Sequence, residues 1–312
     1  MDDEGERCAI AKEHHANSDR RGGVAGLTVA VKLRQQSREP VVVERAAAYA
    51  DVGYNVSLYP LGSCVLHGLG VYDEYRSRGQ VGDAYELYDG RGKLLQRVAF
   101  GSVLSGYGPI LNNRRADLVD VLRKAGGDLD IRMGTTVVSL FQMDDVVRVE
   151  LSDGEELEVD LVVGADGIHS HVREHVFGPQ PVFDTGWVLR CWWARGGQVP
   201  ANVISEYWGV GSWAGLYPTQ DQVGFCVGTP SSVAPPAEEL GLSDAATLPV
   251  GLARYAARTT DLVRKNQEDS RRLGKIMFMS SRAASWTRDE LMKHYPAERL
   301  AQNIVHSMTQ PF

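Results

Sequence analysis

Residues 22–45, GGVAGLTVAVKLRQQSREPVVVER, constrain the fold of this chain more than any other stretch. Glycines open it, and Leu27, Ala30, Val31 and Leu33 then follow as the apolar residues a helix has available for burial. PVVVER at 40–45 is a short apolar run carrying Glu44 at its end, the pattern of a strand buried on both faces. A glycine turn, a helix and a buried strand make half of a βαβ unit. The other half requires a strand just before the glycines. CAIA at 8–11 is the candidate, but the polar stretch KEHHANSDRR at 12–21 stands between them, lacks apolar periodicity and reads as a loop.

The rest of the chain alternates in character. YELYDGRGKLLQRV at 85–98 carries an Asp-Gly turn between alternating segments, which predicts a hairpin. RRADLVDVLRKA at 114–125 places Leu118, Val121 and Leu122 on one side of an amphipathic helix. TTVVSLFQM, VVRVEL and ELEVDLVVG read as three strands, the last running directly into GADGIHS at 164–170. From 182 to 228, short aromatic strands alternate with turns, predicting a second, antiparallel sheet. Residues 231–249 are rich in Pro, Ala and Ser and read as a linker, and the pattern from 251 onward is helical.

Composition removes some function classes. A net charge of -7 argues against a nucleic-acid partner, which normally demands a concentrated basic surface. No apolar run approaches the roughly 20 residues that cross a bilayer, and MDDEGER lacks the pattern of a signal peptide. A cytoplasmic protein without a membrane partner is expected. Cys8, Cys64, Cys191 and Cys226 lie far apart in sequence with no paired spacing, so they read as buried thiols of a reducing compartment.

Two constellations carry chemistry. In a dinucleotide fold, G-x-G-x-x-G lets the backbone approach a pyrophosphate at a helix N-terminus, and an acid about 20 residues later binds ribose hydroxyls. Gly23 and Gly26 occupy the second and third glycine positions and Glu44 that of the acid, while Arg21 stands at the first. The plain alternative is a glycine-rich turn before an ordinary helix. In DLVVGADGIHSHVR at 160–173, a buried strand delivers Asp166 between small residues. Gly167 frees the backbone there, and Ser170 is placed to cap the next turn.

GADGIHSHVR closely resembles the GADG-x-x-S-x-V-R motif of the FAD-dependent aromatic hydroxylases, such as para-hydroxybenzoate and salicylate hydroxylases. Residues 22–46 resemble that family's opening βαβ unit, and NNRRADLVDVL at 112–122 resembles its R-x-x-L helix, with Arg115 at the matching arginine. The resemblance implies an α/β fold: a Rossmann-like FAD domain from residues 1–70 and 108–180, a substrate-side sheet from 71–107 and 181–230, and C-terminal helices over 251–312. It implies FAD as cofactor, NAD(P)H as co-substrate and an aromatic or similar small molecule as substrate. The cofactor-binding residues it implies are Gly23, Gly26, Glu44, Arg115, Gly164, Asp166 and Gly167. No acid–base residue stands out, and a homo-oligomer is left open.

The same resemblance exposes a gap. The family's third motif, a strand ending G-D-A-A-H followed by a P-x-x-G-x-G-x-N loop, has no counterpart, and an internal deletion at 231–250 is the simplest reading. The stretch at 12–21 beside Arg21 is a second lesion. An alternative function is therefore a non-catalytic or weakly flavin-binding member. Other readings are weaker. His169, His171 and His175 lack metal-ligand spacing. Trp187, Trp192, Trp193, Trp208 and Trp213 are read mostly as core, and Ser170 and Ser212 have no nucleophile elbow.

Overall fold

The computed structural model describes residues 7–12, 23–49, 53–195, 199–209, 212–231, 274–277, 279 and 281–296, with backbone alone for 7–12, 195 and 283. The expected βαβ unit is present. Strand β1 (Arg7–Lys12), helix α1 (Val24–Gln35) and strand β2 (Glu39–Glu44) form it, and CAIA supplies the core of β1. The sheet is parallel, with β1 between β2 and β12 (Leu161–Gly164), and β8 (Asp130–Met133) outside β2. Leu27, Ala30 and Val31 of α1 are completely or almost completely buried. They meet Leu118, Val121 and Leu122 of α5 (Arg115–Gly126) in the largest apolar cluster. Burying a Leu or Val side chain contributes roughly 1.5–3 kcal/mol, so this helix pair and the sheet beneath it anchor the fold.

A small sheet joins β3 (Asn55–Leu58) and β4 (Gln80–Gly82) to the two edges of β7 (Ile110–Arg114), whose last residue leads into α5. Helices α2 (Pro60–Gly68) and α3 (Tyr72–Ser77) lie between β3 and β4 in the chain. Tyr75 of α3 is fully buried in the same core.

The hairpin at the Asp-Gly turn forms as expected from β5 (Ala84–Asp89) and β6 (Leu94–Ala99), followed by the single turn α4 (Phe100–Val103). It extends a six-stranded sheet in the order β13-β16-β15-β14-β5-β6. The aromatic strands are β13 (Trp187–Arg195), β14 (Val203–Trp208), β15 (Trp213–Pro218) and β16 (Gln222–Pro230). Their mutual pairings are antiparallel, and the single parallel contact joins β14 to β5.

ELEVDLVVG, expected as one strand, is two. β11 (Glu156–Val159) completes an antiparallel sheet with β9 (Val137–Gln142) and β10 (Val147–Leu151), whereas β12 belongs to the parallel sheet. Asp160 is the exposed residue where the chain changes sheets. The alternating apolar pattern continues across the change because Val159 of β11 is buried and Val162 and Val163 of β12 pack partly buried against the core; the pairing partners differ. Helix α6 (His171–Phe177) then packs against β12.

Near the C-terminus, α7 (Arg282–His294) begins before the RDEL stretch, capped by Ser281 accepting from the Ala284 N–H. Buried Arg288 ties α7 to the end of β14, donating to the Trp208 carbonyl at 2.7 Å and the Met277 carbonyl at 3.0 Å. The linker expected at 231–250, the long helix expected from 251 and the polar loop expected at 12–21 lie outside the described residues, apart from Ser231, the helical turn at 274–277 and Lys12, which extends β1 instead of opening the loop.

Candidate functional site

Three strands of the parallel sheet end side by side. The register sets Lys12 opposite Glu44, and Ala11 opposite both Val43 and Gly164, so Glu44 and Gly164 flank the carboxyl end of β1. In open α/β sheets this is where ligands bind. Helix α1 starts beside it at Val24 after extended Gly23, and no side chain caps its N-terminus. Exposed backbone N–H groups and the helix dipole make such an end suited to a phosphate. Gly26 is buried within the first turn.

Glu44 is 1% exposed. Its Oε1 accepts from the Ala46 N–H at 2.9 Å, and its carbonyl accepts from the Thr135 N–H at 3.1 Å. Tyr49 lies close enough that burial, then the Glu44 charge, push its phenol up to about 12, against an opposing pull from Arg123. The Tyr49 hydroxyl is buried and meets no hydrogen-bond partner among the described residues. A buried hydroxyl left unsatisfied costs about 1–3 kcal/mol, so a polar ligand beside Glu44 would remove a standing penalty. The donor set fits the ribose and pyrophosphate portion of a dinucleotide.

The structure distinguishes the two adjacent arginines of the R-x-x-L helix. Arg114 forms a two-pronged pair with Asp117, at 3.0 Å from Nε and 2.9 Å from Nη2. Arg115 is the first residue of α5 and is 8% exposed, and its backbone N–H donates to the Tyr54 carbonyl at 3.0 Å. The neighbouring Gly53 carbonyl accepts from the Trp193 indole at 2.8 Å, linking this corner to the six-stranded sheet.

Asp166 is 3% exposed and turned into its own chain. Its carboxylate accepts from the Ser170 hydroxyl and from the Val172 N–H at 3.1 Å, while the Ser170 hydroxyl accepts from the Arg173 N–H at 2.9 Å. Ser170 thus caps α6, as its position predicts. Gly167 has φ +86°, a left-handed conformation that favours glycine. Gly164 is explained by packing: a Cβ there would lie 2.9 Å from the Cβ of Val172. The sequence pattern points to small residues making room for a cofactor; the structure shows that at Gly164 they make room for α6.

A second polar centre is absent from the sequence reading. Glu206, partly buried on β14, accepts from four neutral donors: the Tyr85 hydroxyl at 2.8 Å, the Trp208 indole at 3.0 Å, the Trp213 indole at 3.1 Å and the Tyr217 hydroxyl at 3.0 Å. No cation among the described residues forms a salt bridge with it. Burial first, and the Glu206 charge second, hold the Tyr85 and Tyr217 phenols well above their ordinary range. Trp208 and Trp213 are buried, as a core reading requires, whereas Trp192 is 43% exposed. The period-two spacing of Glu206 and Trp208 carried the signal, but the convergence of β5, β14 and β15 on one carboxylate is a tertiary fact. Among the described residues, no three His, Cys, Asp or Glu side chains gather into a metal-holding group. No helix among them is long and apolar enough to cross a membrane.

Residues 22–189 match the family model described as FAD binding domain. The chain is 35% identical over 188 residues to 3-amino-4-hydroxybenzoate 2-monooxygenase of Streptomyces cremeus, covering 59% of this chain and 46% of that protein. It is 31% identical over 201 residues to aurachin C monooxygenase/isomerase of Stigmatella aurantiaca, covering 63% and 52%. It thus spans about half the length of these curated relatives. In fold it is similar to Klebsiella pneumoniae HpxO, solved with FAD and uric acid, with a TM-score of 0.79 at 17% identity over 97% of each chain. On the match over residues 22–189 the chain belongs to the FAD-binding-domain family, whose curated relatives include flavin-dependent monooxygenases.

Proposed function

We propose that this chain binds FAD at the carboxyl edge of its parallel sheet and serves a monooxygenase that consumes NAD(P)H and O2 to hydroxylate an aromatic or similar small molecule. The observation that carries the reading is the placement of Glu44 and Gly164 on either side of β1, next to the N-terminus of α1. In this arrangement Glu44 accepts hydrogen bonds from the ribose hydroxyls, with the orphaned Tyr49 hydroxyl beside it. Gly23, Gly26 and the first N–H groups of α1 receive the pyrophosphate. Arg115 contributes positive charge toward the nucleotide. Asp166 and Gly167 shape the turn that faces it.

The flavin, when bound, supplies the redox chemistry; the protein supplies orientation, electrostatics and exclusion of water. The six-stranded sheet is the substrate side in this reading. Glu206, held rigid by Tyr85, Trp208, Trp213 and Tyr217, is a fixed negative charge suited to orienting an N–H or O–H group of a substrate. Relatives named for an aminohydroxybenzoate carry both groups on their substrate.

Absorbance and fluorescence titration of the full chain with FAD tests the reading. Saturable binding with a perturbed visible flavin band is expected, followed by oxidation of NADH or NADPH that accelerates with an aromatic substrate. A folded protein that leaves FAD free in solution would overturn it. That result would favour the second reading, a non-catalytic family member. Two sequence features support this second reading: no third-motif string exists, and eleven residues separate β1 from α1 where the motif calls for a direct glycine turn.

A further inference from the structure

Cys191 and Cys226 are separated by 35 positions in sequence, yet the sheet sets them directly opposite each other on β13 and β16. Their Sγ atoms are 2.6 Å apart, and both are thiols. Opposed Cα atoms on antiparallel strands lie about 4.5–5.5 Å apart, within the roughly 4.4–6.8 Å range that a disulfide bridges, so no backbone movement is needed to join them. The expectation of four buried thiols fails at Cys64, which is exposed, and spacing gave no sign of the Cys191–Cys226 juxtaposition, because pairing across a sheet leaves no spacing signature.

We propose that Cys191 and Cys226 form an oxidisable dithiol, a covalent modification site that closes to a cross-strand disulfide when a peroxide reaches it. Cys191 is the more exposed of the two and reacts first. Its thiolate attacks one peroxide oxygen and the O–O bond breaks. Cys191 becomes a sulfenic acid, and the departing hydroxide takes up the thiol proton as water. The Cys226 sulfur then attacks the Cys191 sulfur, forming the S–S bond and breaking the S–O bond. The Cys226 proton leaves with the hydroxyl as a second water. Two electrons pass from the two thiols to the peroxide, and an added dithiol reductant reverses the change.

The surroundings support this division of roles. The hydrogen bond to Cys191, then burial, raise the Cys226 thiol well above its ordinary range, so Cys226 keeps its proton until the neighbouring sulfur is electrophilic. Cys226 also lies 3.7 Å from Asn55 Oδ1 on β3, beside Gly224, where an added Cβ would strike the Asn55 side chain. Disulfide formation therefore occurs at the junction between the six-stranded sheet and the small sheet that leads into α5. The inference does not depend on flavin binding.

The test uses the reduced full chain under native conditions, treated with hydrogen peroxide and then assayed for thiols in denaturant. Two of the four thiols should disappear and return with dithiothreitol. Cleavage after arginine should link CWWAR at 191–195 to the peptide 196–254, lighter by two hydrogens than the sum of the parts. The Cys64→Ser variant should behave identically, since Cys64 sits on α2. The same oxidation of unfolded chain should give mixed pairings. Four surviving thiols in folded, peroxide-treated protein, or a linkage that uses Cys64 in place of Cys191 or Cys226, would overturn the proposal.

Discussion

At the scale of single residues, Glu206 and Gly164 show how much one position can constrain. The Glu206 carboxylate satisfies two phenols and two indoles that are otherwise enclosed in apolar surroundings. Glu206→Leu would leave those four donors without their acceptor. Each stranded buried donor costs about 1–3 kcal/mol, less where water reaches it, so an overall loss of about 3–4 kcal/mol is expected in urea unfolding. A loss under 1 kcal/mol would show that solvent satisfies the ring. Gly164→Ala drives a methyl group into Val172, with a 2.9 Å contact that α6 must absorb. Overpacking of this kind typically costs about 1–3 kcal/mol, and a melting temperature equal to wild type would show that α6 moves freely. The sequence marked Gly164 and Asp166 as special from the GADG string, but assigned Gly164 to a cofactor when its immediate cause is a neighbouring helix. It did not mark Glu206, because one of its donors, Tyr85, comes from a strand 121 positions away, although Trp208, Trp213 and Tyr217 lie 2, 7 and 11 positions along the chain.

At the scale of elements, α5 is the hinge between sheet and site. Arg115 opens it, Leu118, Val121 and Leu122 seat it on α1, and Asp120 ties it to Arg78, the residue that follows α3. Asp120 accepts from Arg78 at 2.8 Å, Lys124 at 2.9 Å and Arg123 at 3.2 Å. The Arg78 hydrogen bond, then that of Lys124, hold its carboxyl well below the ordinary carboxylate range. A depressed carboxyl stabilises the folded state at pH values above its unfolded value of about 3.9 and loses that contribution as pH falls toward the folded value. Melting temperature should therefore decline more steeply below about pH 4 in wild type than in Asp120→Asn. Parallel slopes would mean that solvent screens the cluster. Helix periodicity made α1 and α5 legible, and the Asp-Gly turn made the β5–β6 hairpin legible. The change of sheet at Asp160 was not, since a strand's partner is chosen by the rest of the fold.

At the scale of the whole molecule, the proposed FAD site draws on the ends of β1, β2 and β12 and on the starts of α1 and α5, so occupancy should stabilise all of them together. A ligand that binds only the folded state adds about 2.7 kcal/mol at a hundred times its dissociation constant, which predicts a melting temperature that rises with FAD concentration. Glu44→Gln should weaken FAD binding by roughly tenfold or more, the effect of a lost charged hydrogen bond worth about 1.5–3 kcal/mol. An unchanged affinity would remove Glu44 from the site. Local physics in the sequence determined the βαβ opening, the acid that ends β2, the capped GADG turn and the two helices of the core, because each depends on residues a few positions apart. The tertiary structure alone decided that one apolar run feeds two sheets, that four aromatic donors share Glu206 and that Cys191 meets Cys226. Those outcomes are set by strand order and register, which bring distant residues together and leave no periodic trace in the chain.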